Sequence, residues 1–173
     1  MKKITLIMTC FICTFCSTQM KLNKSEQIDI LIKTPLKLIG DKPVIYTIKN
    51  NTNNTYIIDP YGFVGNSYWI LNNEKLNPIN SSRGYYSREN EDCKNDLIIL
   101  EPKQKIDTTL SLNYMERYIY DFSKTGKYIR HVESKHSRQN GMPLSCKQYI
   151  NELEKKGYHL LDDSIKAEIP FVK

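Results

Sequence analysis

The sequence has few glycines, a single tryptophan and no motif typical of a catalytic or metal site. Seven glycines beside twelve tyrosines are typical of a rigid, β-rich chain and not of a disordered one. Because no serine-, cysteine- or glycine-rich signature marks a nucleophile, the sequence predicts neither an enzyme nor a cofactor. Beyond the N-terminal region, charged residues or asparagines interrupt every apolar run, so no later segment is apolar enough to cross a bilayer.

Residues 1–18 are typical of an export signal. Two lysines precede an apolar stretch from Ile4 to about Cys16, which is short for a bilayer span. We expect cleavage after Ser17 or Thr18 and a periplasmic or extracellular product. A retained anchor or a buried first strand is the alternative.

Three cysteines within this region raise the alternative of a membrane-anchored lipoprotein. Lipidation needs a small residue before the modified cysteine, and the residues before Cys13 and Cys16 are large. Thr9 before Cys10 is acceptable but leaves only a short apolar region. A soluble exported protein is therefore the favoured interpretation, with membrane contact only through such an anchor.

Removal of the signal leaves two cysteines, Cys93 and Cys146. In an oxidising compartment such a pair is most simply a disulfide, which would stabilise the fold by about 4 kcal/mol in the chain-entropy model. Two unrelated buried thiols are the alternative. The three histidines have spacings that match no metal pattern, so the sequence predicts no metal site.

About 155 residues remain after cleavage, enough for one domain with a two-layer core. The formal net charge of +6 falls by two when the signal lysines leave, an excess too small for a nucleic-acid-binding protein. Residues 117–138 are mainly basic and residues 89–101 mainly acidic, which favours either a pairing of the two stretches with each other or two solvated faces. A partner-binding role of these charges is the alternative.

Alternating apolar and polar residues predict seven to eight short strands within a domain over 27–173, after a loose polar leader at 19–26. Asn72–Asn73 favours a tight hairpin, and Pro170 places the last strand at a sheet edge. The predicted strands lie near 28–33, 43–50, 54–59, 67–76, 97–100, 106–112, 128–132 and 164–172.

One helix is predicted over about 145–157. Ser145 and Gln148 have the spacing of a capping box, and Gly157 stands where a helix ends. A single apolar stripe indicates a helix docked on the sheets, and it consists of Cys146, Tyr149, Ile150 and Leu153.

The segment DFSKTGKYIRHV at 121–132 indicates the architecture. Asp121 begins a turn, Gly126 allows a positive φ, and Tyr128 opens an alternating strand. In immunoglobulin-like sandwiches a Gly-x-Tyr step forms a corner in which the tyrosine hydroxyl bonds back to nearby backbone. The prediction is an all-β, antiparallel Ig-like sandwich with one short docked α-helix near the C-terminus.

The order of IYTIKNNTNNTY, YWILNNEKL, LEPKQK and KTGKYIR resembles bacterial Ig-like domains of the proteinase-inhibitor (BsuPI-like) type. In that family a Leu-x-Pro-Gly-Glu turn precedes the strand leading to the Gly-x-Tyr corner. The resemblance covers about residues 43–132 and the closing strand, with Lys103 in place of the glycine and the helix as an addition. It implies an exported Ig-like module that accompanies peptidases or binds cell-surface partners.

Residues 79–96 form the longest predicted loop. Tyrosines supply large contact area at low entropic cost and arginines supply forked donors, while a loop of this length is usually functional or mobile. The alternative is that the tyrosines cover the edge of the core. The candidate contact residues are Arg83, Tyr85, Tyr86 and Arg88.

These observations predict an exported, non-catalytic binding module that recognises a protein or cell-envelope component through this loop, in an inhibitor-like role or another. One alternative is a structural or accessory envelope lipoprotein without a specific ligand. The other is a hydrolase with an unrecognised site, in which His131 or His136 would be the base and Asp162 or Asp163 the orienting carboxylate.

The processing prediction is tested by the intact mass of the chain purified after export from a bacterial host. We expect a mature N-terminus directly after Ser17 or Thr18. Reversing the charge of both signal lysines should slow export without moving the cleavage point. An unprocessed chain, or a lipid-sized mass increase on a cysteine, would contradict the prediction.

Overall fold

A computed structural model describes residues 17–38, 43–63, 65–80, 92–110, 112, 119–138 and 146–173. Within these ranges the chain forms three β-sheets and two helices. In chain order the elements are β1 (Thr18–Lys21), β2 (Ile28–Thr34), β3 (Leu36–Lys37), β4 (Tyr46–Asn50), β5 (Tyr56–Ile58), β6 (Gly65–Leu71), β7 (Glu74–Lys75), α1 (Cys93–Asp96), β8 (Ile98–Leu100), β9 (Lys105–Thr108), β10 (Tyr128–His136), α2 (Lys147–Lys155), β11 (His159–Leu160) and β12 (Asp163–Val172).

The all-β sandwich with a short helix near the C-terminus is confirmed. The described residues contain twelve strands, so the prediction of seven to eight is too low. The strands that were missed are β1, β3 and β11, which have two to four residues each, whereas β7 is the second half of the hairpin predicted over 67–76. Such short segments contain too few positions to show an alternating period.

The first sheet is antiparallel throughout and has the order β1-β2-β4-β9. The alternation predicted for β2 is confirmed, because Ile28, Ile30 and Ile32 are all buried. On β4, Tyr46 and Ile48 are completely buried on the same side. This sheet therefore contributes a continuous apolar inner face.

The prediction of a loose leader at residues 19–26 is wrong. Thr18–Lys21 instead form β1, and Asn23 is buried just beyond that strand. The Asn23 side chain donates to Ile28 O at 2.6 Å and to Asp163 Oδ2 at 2.5 Å, and it accepts the N–H of Ile30 at 2.8 Å. The segment is polar because its buried side chain bonds to backbone, and hydrophobic patterning does not detect this.

The second sheet has the order β3-β12-β10-β6-β7. Asn72 and Asn73 have φ values of 51° and 71°, as the predicted tight hairpin between β6 and β7 requires. The edge position predicted from Pro170 is wrong: β12 lies between β10 and β3, and Pro170 is paired with Ile129 of β10. The strand β3 joins only beyond the proline, at Phe171 and Val172.

The main core lies between these two sheets. Ile30 and Ile48 of the first sheet share one buried cluster with Val132, Ile165 and Ile169 of the second. This is the two-layer arrangement expected of a sandwich, since each sheet buries one of its faces.

The third sheet, β11-β5-β8, carries the docked helix. Ile57 of β5 packs with Ile150 and Leu153 of α2 in a second buried cluster, so the predicted docking is confirmed. The helix begins later than predicted: Cys146 occupies the N-cap position, and Ser145 lies outside the described residues. Gly157 follows the helix end with a φ of 89°, as predicted.

The Gly-x-Tyr corner is confirmed. The hydroxyl of Tyr128 donates to Lys124 O at 2.7 Å, and the N–H of Lys127 donates to Asn72 Oδ1 at 2.9 Å. A Cβ on Gly126 would lie 2.6 Å from both Leu71 Cδ1 and Asn72 Oδ1 and would displace these side chains, and the φ of 154° is one that residues with a Cβ rarely adopt. The corner thus connects the entry to β10 with the β6–β7 hairpin.

Replacing Tyr128 with phenylalanine should lower the free energy of unfolding by about 1–2 kcal/mol, because the corner loses its hydrogen bond and leaves Lys124 O without that donor. Urea denaturation of the purified variant measures this loss. The matched control is Tyr158→Phe, whose hydroxyl makes no hydrogen bond within the described part of the chain. Equal losses for the two variants would contradict the prediction.

Candidate functional site

Backbone hydrogen bonds to Ile119 attach the N-terminal end of the predicted binding segment. The N–H of Ile79 donates to Ile119 O at 2.7 Å. The next residue, Asn80, donates to the same oxygen at 3.4 Å. The candidate contact residues follow in the stretch 81–91, which lies outside the described residues, and they are Arg83, Tyr85, Tyr86 and Arg88.

The C-terminal side of the segment is held by a short helix that the loop prediction missed. Asp92 is the N-cap of α1, and its Oδ1 accepts the N–H groups of Lys94 at 3.2 Å and Asn95 at 3.4 Å. Leu97 directly after the helix is buried. The aspartate before Cys93 was the sequence signal for this turn, because aspartate is a favoured N-cap residue.

The predicted disulfide between Cys93 and Cys146 is confirmed, and it joins residues 53 positions apart in the sequence. Cys93 opens α1, whereas Cys146 precedes α2 and is completely buried beside Ile150 and Leu97. The bridge therefore attaches the C-terminal end of the predicted binding segment to the docked helix.

His136 is a buried cross-link between three segments. Its Nε2 accepts the N–H of Asp59 at 3.0 Å, and its Nδ1 donates to Leu161 O at 2.7 Å. Burial lowers the pKa of His136, and this outweighs the opposing effects of the Leu161 bond and the Asp59 charge. With both ring nitrogens engaged, the imidazole is neutral and has no atom left for a substrate.

The carboxylates considered with the histidines serve other partners. Asp163 accepts hydrogen bonds from Asn23 and from the N–H of Ser164. Asp162 lies 3.8 Å from Lys135 Nζ at the surface. The geometry therefore gives the hydrolase alternative no histidine–carboxylate pair of the expected kind.

His131 lies on the outer face of the second sheet and is part of a row across four strands. Its ring stacks on Tyr68, with 4.6 Å between centroids and 17° between planes. Lys75 Nζ lies 4.5 Å from the Tyr68 centroid, and Glu168 Oε1 lies 3.9 Å from His131 Nδ1. We call Lys75, Tyr68, His131 and Glu168 the outer row.

Sequence reasoning missed the outer row. Alternation along β6, β10 and β12 indicates which residues face outward, but it gives no information on which outward residues become neighbours. The strand register supplies this, because Tyr68 is opposite His131 and His131 is opposite Glu168. Cross-strand pairs of this kind stabilise a sheet face by a few tenths to one kcal/mol each.

The basic stretch at 117–138 pairs locally. Arg138 donates to Asn151 Oδ1 at 2.9 Å and forms an ion pair with Glu154, both in the docked helix. Arg130 is buried and donates to Leu112 O. These partners all lie outside the acidic stretch at 89–101, so the contacts named here do not pair the two charged stretches with each other.

Within the described ranges, no three residues of His, Cys, Asp or Glu are grouped as a metal site requires. Among the helices in that same part of the chain, none combines the length and the apolar character of a membrane span.

No family model, curated protein or solved structure matches the chain. The resemblance to proteinase-inhibitor-type domains stays a prediction, and the function has to be argued from the geometry.

The buried neutral His136 predicts that the protein loses stability in acid. An unfolded histidine takes up a proton below a pH of about 6.5, whereas the buried His136 takes one up only at a lower pH. Between these two pKa values, each unit of acidification should lower the free energy of unfolding by up to about 1.4 kcal/mol. Urea denaturation between neutral pH and about pH 5 measures the slope. The stability gained from a neutral imidazole is complete above the unfolded pKa and is lost below it.

The variant His136→Gln should be less stable at neutral pH, but its stability should fall less on acidification. His159→Gln is the control, because His159 is exposed and lies against Tyr56 in the third sheet. Parallel pH profiles for His136→Gln and the unmodified protein would show that another group carries the pH dependence.

Proposed function

We propose that this protein is an exported, non-catalytic binding module that recognises a protein or cell-envelope component through residues 79–92. The observation that carries the proposal is the Cys93–Cys146 bridge, which attaches the end of this segment to a docked helix. A segment anchored at its base loses less conformational entropy when it binds, and this raises affinity without additional contacts.

The hydrogen bonds at the other end support the same proposal. The backbone N–H groups of Ile79 and Asn80 both bond to Ile119 O. The segment is therefore attached by backbone hydrogen bonds at its N-terminal end and by a disulfide at its C-terminal end. Loops held in place by a rigid scaffold carry binding residues in many proteins, as in immunoglobulin-type recognition.

The composition of the segment indicates the chemistry of its partner. Tyr85 and Tyr86 would supply apolar contact area, while Arg83 and Arg88 would donate paired hydrogen bonds to carboxylates. An acidic surface with exposed apolar groups is therefore the complementary partner. The positive net charge of the chain would favour the encounter.

The test compares three forms of the mature chain for cross-linked capture of envelope proteins from the producing cells. The Tyr85→Ala/Tyr86→Ala variant should recover its main partner at least about tenfold less, because two aromatic anchors contribute a large share of a binding interface. Tyr61→Ala is the control, since Tyr61 is an exposed tyrosine in the turn after β5.

The third form is Cys93→Ser/Cys146→Ser, which should keep the strand-dominated circular dichroism spectrum but bind more weakly, because its segment is no longer anchored. Unchanged recovery by the tyrosine variant would reject the loop as the contact surface and favour the accessory envelope role. Unchanged affinity without the bridge would reject the anchoring argument alone.

A further inference from the structure

The outer row has a cation at one end and a carboxylate at the other. Lys75 lies beyond Tyr68 on the β7 side, and Glu168 is on β12 with a side chain that is 62% exposed. The rings of Tyr68 and His131 fill the space between them. The charge along this row therefore changes sign from one side of the sheet face to the other.

An apolar row runs beside it in the same strands. Ile70 is opposite Ile129, and Ile129 is opposite Pro170. These residues alternate with the core residues Leu71, Tyr128 and Ile169, so they face away from the core. Val172 continues the apolar surface on β12 and is 40% exposed. We call Ile70, Ile129 and Pro170 the outer triplet.

We propose that this face binds a second copy of the chain. The twofold axis of this dimer is parallel to the strands and lies between the two facing sheets. It places β7 of one copy over β12 of the other, and β6 over β10. The cation at Lys75 then meets the carboxylate at Glu168 of the second copy, and the symmetric contact forms at the other side. Ile70 and Ile129 of one copy then cover Ile129 and Ile70 of the other, which makes the face self-complementary as a twofold interface requires.

The size of the face sets the expected strength of the dimer. Three strands about 4.8 Å apart, with seven residues at about 3.3 Å each, and the two residues of β7 beside them give a projected area of roughly 350 Å² per copy. The total for both copies is below the size of stable specific interfaces, so we expect a weak, reversible dimer with a dissociation constant in the upper micromolar range.

Sedimentation equilibrium of the mature chain at concentrations up to roughly 1 mM tests the proposal. The unmodified protein should dimerise reversibly. Lys75→Glu and Glu168→Lys should each weaken association at least about tenfold, because each places like charges together at both symmetric contacts. An equimolar mixture of the two variants should restore it, since both contacts of the mixed dimer then have opposite charges.

The control pair is Lys155→Glu and Glu152→Lys on the exposed side of α2, which changes the net charge by the same amounts away from the sheet face. Circular dichroism confirms that each variant is folded. A monomeric unmodified protein overturns the proposal. Dimers that persist in both single variants, or a mixture that fails to restore association, also overturn it and place any self-contact elsewhere.

Discussion

The pairing of β10 with a strand on each side is the constraint on which the rest of the structure depends. Nine residues of β10 are in register with β12, and seven are in register with β6. Because successive side chains of a strand face opposite sides, this double pairing determines which side chains of β10 face the core and which face outward. Val132 enters the core, Tyr128 forms the corner, and His131 lies on the outer face.

Buried polar side chains connect this framework to its loops. Asn50 donates to the backbone oxygens of Asn54 at 2.7 Å and Glu101 at 2.9 Å, and so joins the turn after β4 to the turn before β9. Asn23 joins β2 to the start of β12 through its bonds to Ile30 and Asp163. His136 of β10 bonds to the N–H of Asp59 directly after β5. Leaving such buried groups without partners costs about 1–3 kcal/mol each, so they specify one arrangement of loops and strands.

Several parts of this structure could be predicted because their causes are local. The alternation of Ile28, Ile30 and Ile32 reflects one buried face, the Asn72–Asn73 turn reflects the tolerance of asparagine for positive φ, and the helix stripe reflects a 3.6-residue period. The Cys93–Cys146 pair followed from counting cysteines. Each of these signals is contained within a few residues or in composition.

The errors have different causes. The strand β1 was interpreted as a leader because its own residues show no alternation and its pairing with β2 makes it a strand. The helix α1 was interpreted as a loop because four residues are too few to show the helical period. Pro170 indicated an edge strand, yet β3 joins β12 just beyond it. For β1 and β12 the deciding contact comes from another strand, whereas the Asp92 N-cap of α1 is a local signal that was overlooked.

By itself, the amino-acid sequence determined the sandwich class, the corner at Tyr128, the docked helix and the disulfide, because burial periodicity, turn chemistry and cysteine number are properties of short segments. Only the tertiary structure decided that His136 is an engaged, neutral cross-link and that Lys75, Tyr68, His131 and Glu168 form one row. The physical reason is strand register: Tyr68, His131 and Glu168 are 63 and 37 positions apart, and they become neighbours only when backbone hydrogen bonds align their strands.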